Sequence, residues 1–213
     1  DWRVKENSSI EYSLGGLILA NSGAVTANYW LSEIYDDEIA NAHRSCDIHI
    51  HDLSMLSGYC AGWSLKTLIK EGFNGVPKKI SSKPAQHLST ICNQMINFLG
   101  TMSLEWAGAQ AFNSVDTLLS PFVKHENLSY KEVKQCIQSL VYGLNISSRW
   151  GSQPVFSNFT FDWVVPDDLA ELNCIVGGKE LDFKYKDCKR EMDMINKAFL
   201  EVMVEGDADG KSF

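Results

Sequence analysis

Cys46-Asp47-Ile48-His49-Ile50-His51-Asp52 is the stretch on which the reading of this chain turns. Its side chains alternate in character, and alternation with a period of two is the pattern of a half-buried strand. The spacing predicts a short strand with Ile48 and Ile50 on one face and Asp47, His49 and His51 on the other. Two imidazoles placed two residues apart on a strand lie about 7 Å from each other on one side. Such a pair suits a metal or a substrate. It equally suits two partly exposed histidines that only make hydrogen bonds. A hydrolase-type metal site needs further ligands from later strands. The later histidines, His87 and His125, fall in or beside helical segments, so no complete metal site is expected here.

Downstream, Ser57-Gly58-Tyr59-Cys60-Ala61-Gly62-Trp63 reads as a glycine-flanked bend. Glycines let the backbone approach a ligand closely. A thiol on such a bend, beside imidazoles, is better placed for reactivity than one on a helix stripe. Cys60 is therefore a candidate for chemistry, with simple packing as the alternative. Residues 84–102 predict a helix, because Leu88, Ile91, Cys92, Met95, Leu99 and Met102 form one stripe. Ser81 or Ser82 with Pro84 would start it. A second apolar helix is expected over 104–123, rich in small residues at Ala107, Gly108, Ala109 and Ala111. A third is expected over 130–146, where Ser129 and Glu132 read as a capping box. Cys92 and Cys136 lie within these patterns and are assigned to packing.

The period then changes. Val155, Phe159, Phe161 and Trp163 alternate with Asn158, Thr160 and Asp162, which predicts a strand over 155–163. The polar loop leading into it, Arg149-Trp150-Gly151-Ser152-Gln153-Pro154, could approach a ligand or be purely structural. Gly177-Gly178 marks a hairpin, and a last helix over 186–204 ends at Gly206. Upstream, residues 12–42 are helical in pattern, with a break expected at Asn21-Ser22-Gly23. Strands separated by helical excursions place the chain in the α/β class.

Composition narrows the function. Of 213 residues, 45% are apolar and 22% charged, which excludes a disordered, collagenous or disulfide-scaffold chain. The net charge of −8 disfavours a nucleic-acid polymer as partner, while a single nucleotide remains compatible. The six cysteines form no CxxC pair, and a reducing, cytoplasmic compartment is expected. No apolar run reaches the ~20 residues of a membrane helix, and no phosphate-loop pattern occurs. The chain opens at Asp1-Trp2-Arg3 without Met or leader and stops at Gly210-Lys211-Ser212-Phe213. A piece of a longer protein is expected.

Several segments, in order, resemble one family. They are Lys5-Glu6-Asn7-Ser8, residues 21–30 (NSGAVTANYW), 47–53 (DIHIHDL), 59–65 (YCAGWSL), 105–123 (EWAGAQAFNSVDTLLSPFV), 153–162 (QPVFSNFTFD) and 205–213 (EGDADGKSF). The chain resembles the catalytic subunit of class III, anaerobic ribonucleoside-triphosphate reductases, which are glycyl radical enzymes. The resemblance implies a ten-stranded α/β barrel of two five-stranded halves, with a cysteine-bearing finger loop through the middle. Residues 1–213 would be the N-terminal portion, the first half of that barrel. The ATP cone, finger loop, glycyl radical motif and four-cysteine zinc site lie outside it.

The resemblance also implies a chemistry. A glycyl radical generates a thiyl radical on the finger-loop cysteine, which takes the 3′ hydrogen of the ribose. The 2′ hydroxyl leaves as water, and a deoxyribonucleoside triphosphate results. Cys60 matches the family's second active-site cysteine, and His49 its ribose-facing histidine. His51, Gln153, Ser157 and Asn158 are carried as substrate-binding residues. Expected partners are a ribonucleoside triphosphate, a radical SAM activating enzyme and a second copy of the chain, with ATP and dNTP as allosteric effectors. The helices of 84–123 are a candidate effector and dimer region, or simply packing inside the barrel. The fragment is expected to be inactive by itself. Alternatives are a lyase-type glycyl radical enzyme, a metal-dependent hydrolase using His49 and His51, and a dimerisation module.

Overall fold

The computed structural model describes residues 14–55, 57–73, 80–146 and 154–213. Lys5-Glu6-Asn7-Ser8, Gln153 and most of its loop lie outside the described residues.

The chain enters through α1 (Leu14–Tyr29), one π-helical turn over Trp30–Ile34, and α2 (Asp37–Arg44). The break expected at Asn21-Ser22-Gly23 is absent: α1 runs through it. Gly23 is buried there because a Cβ would stand 2.7 Å from the Ser54 Cβ. The irregularity falls instead at the π turn, where Trp30 donates its indole N–H to the Met55 carbonyl at 3.1 Å.

The strand expected over 46–52 does not form. Those residues terminate α2. The Cys46 N–H donates to the His43 carbonyl and the Asp47 N–H to the Ala42 carbonyl, with Cys46 at φ 67°. These are the two bonds of a Schellman cap with its left-handed residue. The Ile48 N–H also goes to Ala42, and the Ile50 N–H goes to His43 Nδ1 at 3.1 Å. Backbone donors that a strand would give to a neighbour are therefore spent on the helix end.

Three short parallel strands organise the rest. β1 (Ala61–Trp63), β2 (Gln110–Phe112) and β3 (Ser157–Phe159) lie in chain order, with rows Ala61–Gln110–Ser157, Gly62–Ala111–Asn158 and Trp63–Phe112–Phe159. Parallel neighbours need crossovers. α3 (Leu65–Glu71) and α4 (Leu88–Met102) join β1 to β2; α5 (Val115–Glu126) and α6 (Tyr130–Asn145) join β2 to β3. This is the α/β arrangement expected.

The α4 stripe is as read, but the helix starts after His87 rather than near Pro84. Its apolar face and that of α5 are spent inside this chain: Leu88, Ile91, Met95, Leu99, Leu119 and Phe122 are buried together with Phe112 and Leu65. Each such side chain contributes about 1.5–3 kcal/mol by leaving water. Pro121 inside α5 removes the N–H that would bond the Thr117 carbonyl, and the Ser120 hydroxyl donates to that carbonyl instead at 2.9 Å. α6 opens with the capping box read from sequence: Ser129 Oγ accepts from the Glu132 N–H, and the Glu132 carboxylate accepts from the Ser129 N–H.

Two boundaries differ from expectation. Residues 104–113 are not helical; they turn and then supply β2, the central strand. The alanines of this run favour helix locally, but a place between two strands overrides that preference. The 155–163 strand shortens to Ser157–Phe159. Beyond it the Asp162 and Trp163 N–H groups turn to the side chain of Asp116.

After α7 (Asp167–Ala170) comes the predicted hairpin, β4 (Asn173–Val176) and β5 (Lys179–Lys184). Its turn needs positive φ twice, which Gly177 (62°) and Gly178 (74°) provide. A 3-10 turn over Tyr185–Cys188 leads into α8 (Lys189–Glu205), which packs on α5 and α6 and ends at Gly206, φ 72°.

Lys184 and Lys186 both reach the Glu171 carboxylate at 2.6 Å. Those hydrogen bonds hold the Glu171 carboxyl down from 4.5 to about 2. A depressed acid stabilises the fold above its unfolded pKa, and that contribution fades as pH falls towards 2. Glu171→Gln is expected to flatten the fall of melting temperature between pH 5 and 2; this is checked by thermal melts of both proteins.

Candidate functional site

Cys60 stands one residue before β1, and the ladder begins around it. The Ala107 N–H donates to the Gly58 carbonyl and the Ala61 N–H to the Ala109 carbonyl, each at 3.0 Å; between them Gly108 donates to Tyr59. Gly108 is where glycine is required. A Cβ there would lie 2.7 Å from Cys60 Sγ and 2.7 Å from the Tyr59 carbonyl oxygen. The thiol occupies the space that a side chain would take.

Gly108 is itself held by Gln110, which is fully buried. The Gln110 amide donates to the Gly108 carbonyl at 3.0 Å and accepts from the Trp63 indole N–H at 2.8 Å. Trp63 is packed edge-on against Trp106 and Phe98. A buried polar side chain with both ends satisfied is a rigid spacer, and here it fixes β1 to the turn beneath Cys60. Gly108→Ala is expected to displace the Cys60 thiol and cut turnover of the full-length protein about 10²-fold. Far-UV circular dichroism would stay unchanged, and kinetics with the alanine variant check the loss.

Alternate residues of a strand face opposite ways. Gly62, Ala111 and Asn158 share a row on the outer face; Cys60 stands just before the ladder, exposed and against Gly108. A Cβ on Gly62 would meet nothing within 4 Å. The outer face is thus an open floor of small residues that carries the exposed Asn158 amide, with the exposed Cys60 thiol just before its first strand. Ser157 lies in the row of Ala61 and Gln110, on the helix-covered side. The structure therefore separates Ser157 from Asn158.

His51 reaches the site through the cap of α2, while the ring contact of His49 is with His43 at the end of that helix. His51 is half-exposed; its Nδ1 lies 2.7 Å from Asp52 Oδ2, and its ring stands edge-on to Tyr59 at 4.8 Å. That contact brings the 49–52 segment against the residue beside Cys60. With Nδ1–H given to Asp52, Nε2 is the nitrogen left for a ligand. The His49 ring lies 5.6 Å from that of His43, whose Nδ1 accepts from Ile50 and so carries its neutral-form proton on Nε2. Among the described residues, no group of three or more His, Cys, Asp and Glu is placed to hold a metal ion.

One residue behind the site carries no local signal in the sequence. Asp116, in the first turn of α5, is fully buried. Its carboxylate accepts from the N–H groups of Thr117, Asp162 and Trp163 and from the Asn196 amide, all at 2.9–3.0 Å. Asp162 accepts in turn from the Thr117 hydroxyl at 2.6 Å. This network pins the exit of β3, and with it Asn158, to α5 and α8. The two helical cysteines behave as packing: burial pushes the Cys92 thiol strongly up and raises Cys136.

Comparisons with known proteins agree with this architecture. The family profile of anaerobic ribonucleoside-triphosphate reductases matches residues 6–213. The anaerobic ribonucleoside-triphosphate reductases of Escherichia coli K12 and Salmonella typhimurium LT2 are each 24% identical over 165 residues, covering 66% of this chain and 23% of theirs. The chain thus spans about a quarter of these curated relatives. Among solved structures, the Thermotoga maritima anaerobic ribonucleotide reductase in complex with dATP and CTP superposes with a TM-score of 0.70 at 23% identity, over 89% of this chain and 34% of that one. The same enzyme with dATP in its specificity site gives 0.64 at 21% identity, over 90% and 35%. With the family profile extending over almost every residue and the fold shared at this level, the chain belongs to the anaerobic ribonucleoside-triphosphate reductase family.

Proposed function

We propose that this chain supplies one wall of the active site of an anaerobic ribonucleoside-triphosphate reductase, as the first half of its catalytic barrel. The observation that supports this most is the Cys60 thiol seated on Gly108, at the edge of an open parallel-sheet face that also carries Asn158. Apolar side chains of α1 that remain exposed, such as Leu14 (73%) and Val25 (72%), support a larger barrel around it. In this reading a ribonucleoside triphosphate lies on the outer sheet face. Cys60 offers the ribose a reducing thiol hydrogen, and His49 faces the sugar. His51, oriented by Asp52, and Asn158 hydrogen-bond its polar groups. Gln153 is carried into the substrate-binding set from the family resemblance, whereas Ser157, on the helix-covered side of the sheet, is not placed to join it.

The radical chemistry is supplied by a glycyl radical and a finger-loop thiol outside residues 1–213. The same reading takes dNTP and ATP as effectors, a radical SAM activating enzyme and a second copy of the chain as partners, zinc held outside residues 1–213, and the cytoplasm as location. Among the described residues no helix is long and apolar enough to cross a membrane. Family membership does not favour the lyase or hydrolase alternatives.

The test is anaerobic assay of the activated full-length protein with ribonucleoside triphosphates, with products separated by chromatography. Deoxyribonucleoside triphosphate is expected. A protein that carries the radical by electron paramagnetic resonance yet forms none would overturn the proposal.

A further inference from the structure

Cys174 and Cys188 take no part in the sheet face just described. Cys174 is in β4 and Cys188 ends the 3-10 turn before α8. Both are fully buried, and their sulfurs are 3.8 Å apart. An S–S bond of about 2.05 Å requires them to close the remaining gap. The backbone on both sides can give. Cys174 sits at a register shift in the β4–β5 ladder, where the pairing is already irregular. Cys188 lies between a 3-10 turn and an α-helix, with φ −107° and ψ 16°.

The surroundings distinguish the two sulfurs. The hydrogen bond shared with Cys174 lowers the Cys188 thiol, against the opposing effect of burial; the nearby Lys124 ammonium and the Ser120 hydroxyl also lower it and Glu191 raises it. The same shared bond, together with burial, raises Cys174. Lys124 is held in place by donating to the Asp187 carbonyl at 2.8 Å. Either sulfur can donate in the bond they share, and Cys188 also reaches the Lys184 carbonyl at 3.8 Å, so the two stand within reach of each other for attack by one and resolution by the other.

We propose that Cys174 and Cys188 are an oxidant-sensitive dithiol, converted by hydrogen peroxide into an intrachain disulfide that fastens the β4–β5 hairpin to the start of α8. The Cys188 thiolate attacks one peroxide oxygen. The O–O bond breaks, hydroxide leaves, and Cys188 becomes a sulfenic acid. The Cys174 sulfur then displaces the hydroxyl, so that the S–S bond forms as the S–O bond breaks. The Cys174 proton leaves with that hydroxyl as water. Two thiols are oxidised and one peroxide is reduced to two waters. A dithiol reductant reverses the lock.

The full-length protein, treated with hydrogen peroxide without denaturant, is quenched, alkylated in denaturant and digested with trypsin. Lys179, Lys184 and Lys186 lie between the two cysteines, so a disulfide appears as a linked pair of separate peptides. The expected result is a Cys174–Cys188 pair in most molecules, lost on treatment with dithiothreitol. It should persist when the exposed Cys46 and Cys60 are replaced by serine, because exchange through surface thiols is not needed. Recovery of Cys174 and Cys188 as alkylated thiols after peroxide has consumed Cys46 and Cys60 would overturn the proposal. So would their conversion to sulfinic acids without a link, or their pairing with other cysteines. The readout is on the unsubstituted protein, so it does not depend on a buried Cys→Ser variant folding.

Discussion

Cys60→Ala in the activated full-length protein is expected to abolish deoxynucleotide formation, with turnover down on the order of 10³-fold or more. Nucleotide binding should stay within a few-fold of the unsubstituted protein. The thiol is exposed and its sulfur packs on Gly108, so truncation removes one small group and empties no core site. Cys60→Ser is the sharper comparison, because it keeps the volume while replacing S–H by the much stronger O–H bond. Both variants should melt within about 1 °C of the parent, since a surface change away from buried features costs little. Binding by isothermal calorimetry and turnover measured together separate chemistry from folding. Near-normal turnover in either variant would remove Cys60 from the reaction.

Asp116→Ala is expected to cost about 3–5 kcal/mol of stability, with no direct contact to the open face. Four donors converge on this carboxylate in a fully buried setting. Each buried donor left without an acceptor costs about 1–3 kcal/mol, and partial rehydration keeps the total below the simple sum. The negative charge also lies in the first turn of α5, where the helix dipole favours it. Asp116→Asn retains one acceptor oxygen but turns a second donor towards N–H groups, so an intermediate loss of about 1–3 kcal/mol is expected. Chemical denaturation followed by circular dichroism reads both. A loss under about 1 kcal/mol for the alanine variant would show that the network does not tie β3 to α5 and α8. Because Asn158 lies on β3, Asp116→Asn should also raise the substrate KM more than it lowers kcat in the full-length protein.

What was legible in the sequence follows from how local each determinant is. The capping box of α6 spans Ser129 to Glu132, and the turn at Gly177-Gly178 is set by two adjacent residues, so both were read correctly. The buried stripe of α4 repeats within one helix and was equally plain. Cys60 stood out because its flanking glycines are neighbours in the chain. The 46–52 stretch misled because alternation describes side chains only. Its backbone donors had already been claimed by the carbonyls of Ala42 and His43. The small-residue run before Phe112 misled because helix preference is a local property, whereas a central strand exists only when both neighbours are present.

By itself, the sequence determined the class of the fold, the helices that carry their own caps and stripes, and the family to which the ordered motifs point. It also singled out Cys60, His49 and His51 by residue type and setting. Tertiary structure alone decided that Gly108 makes room for the Cys60 thiol, that Gln110 and Asp116 hold the strands beside it, and that Ser157 and Asn158 fall on opposite sides of the sheet. It alone brought Cys174 against Cys188. The physical reason is the same in each case. A hydrogen bond or a close packing contact between residues far apart in the chain has no period and no local preference, and it comes into being only when parallel strands and their crossover helices have closed the distance.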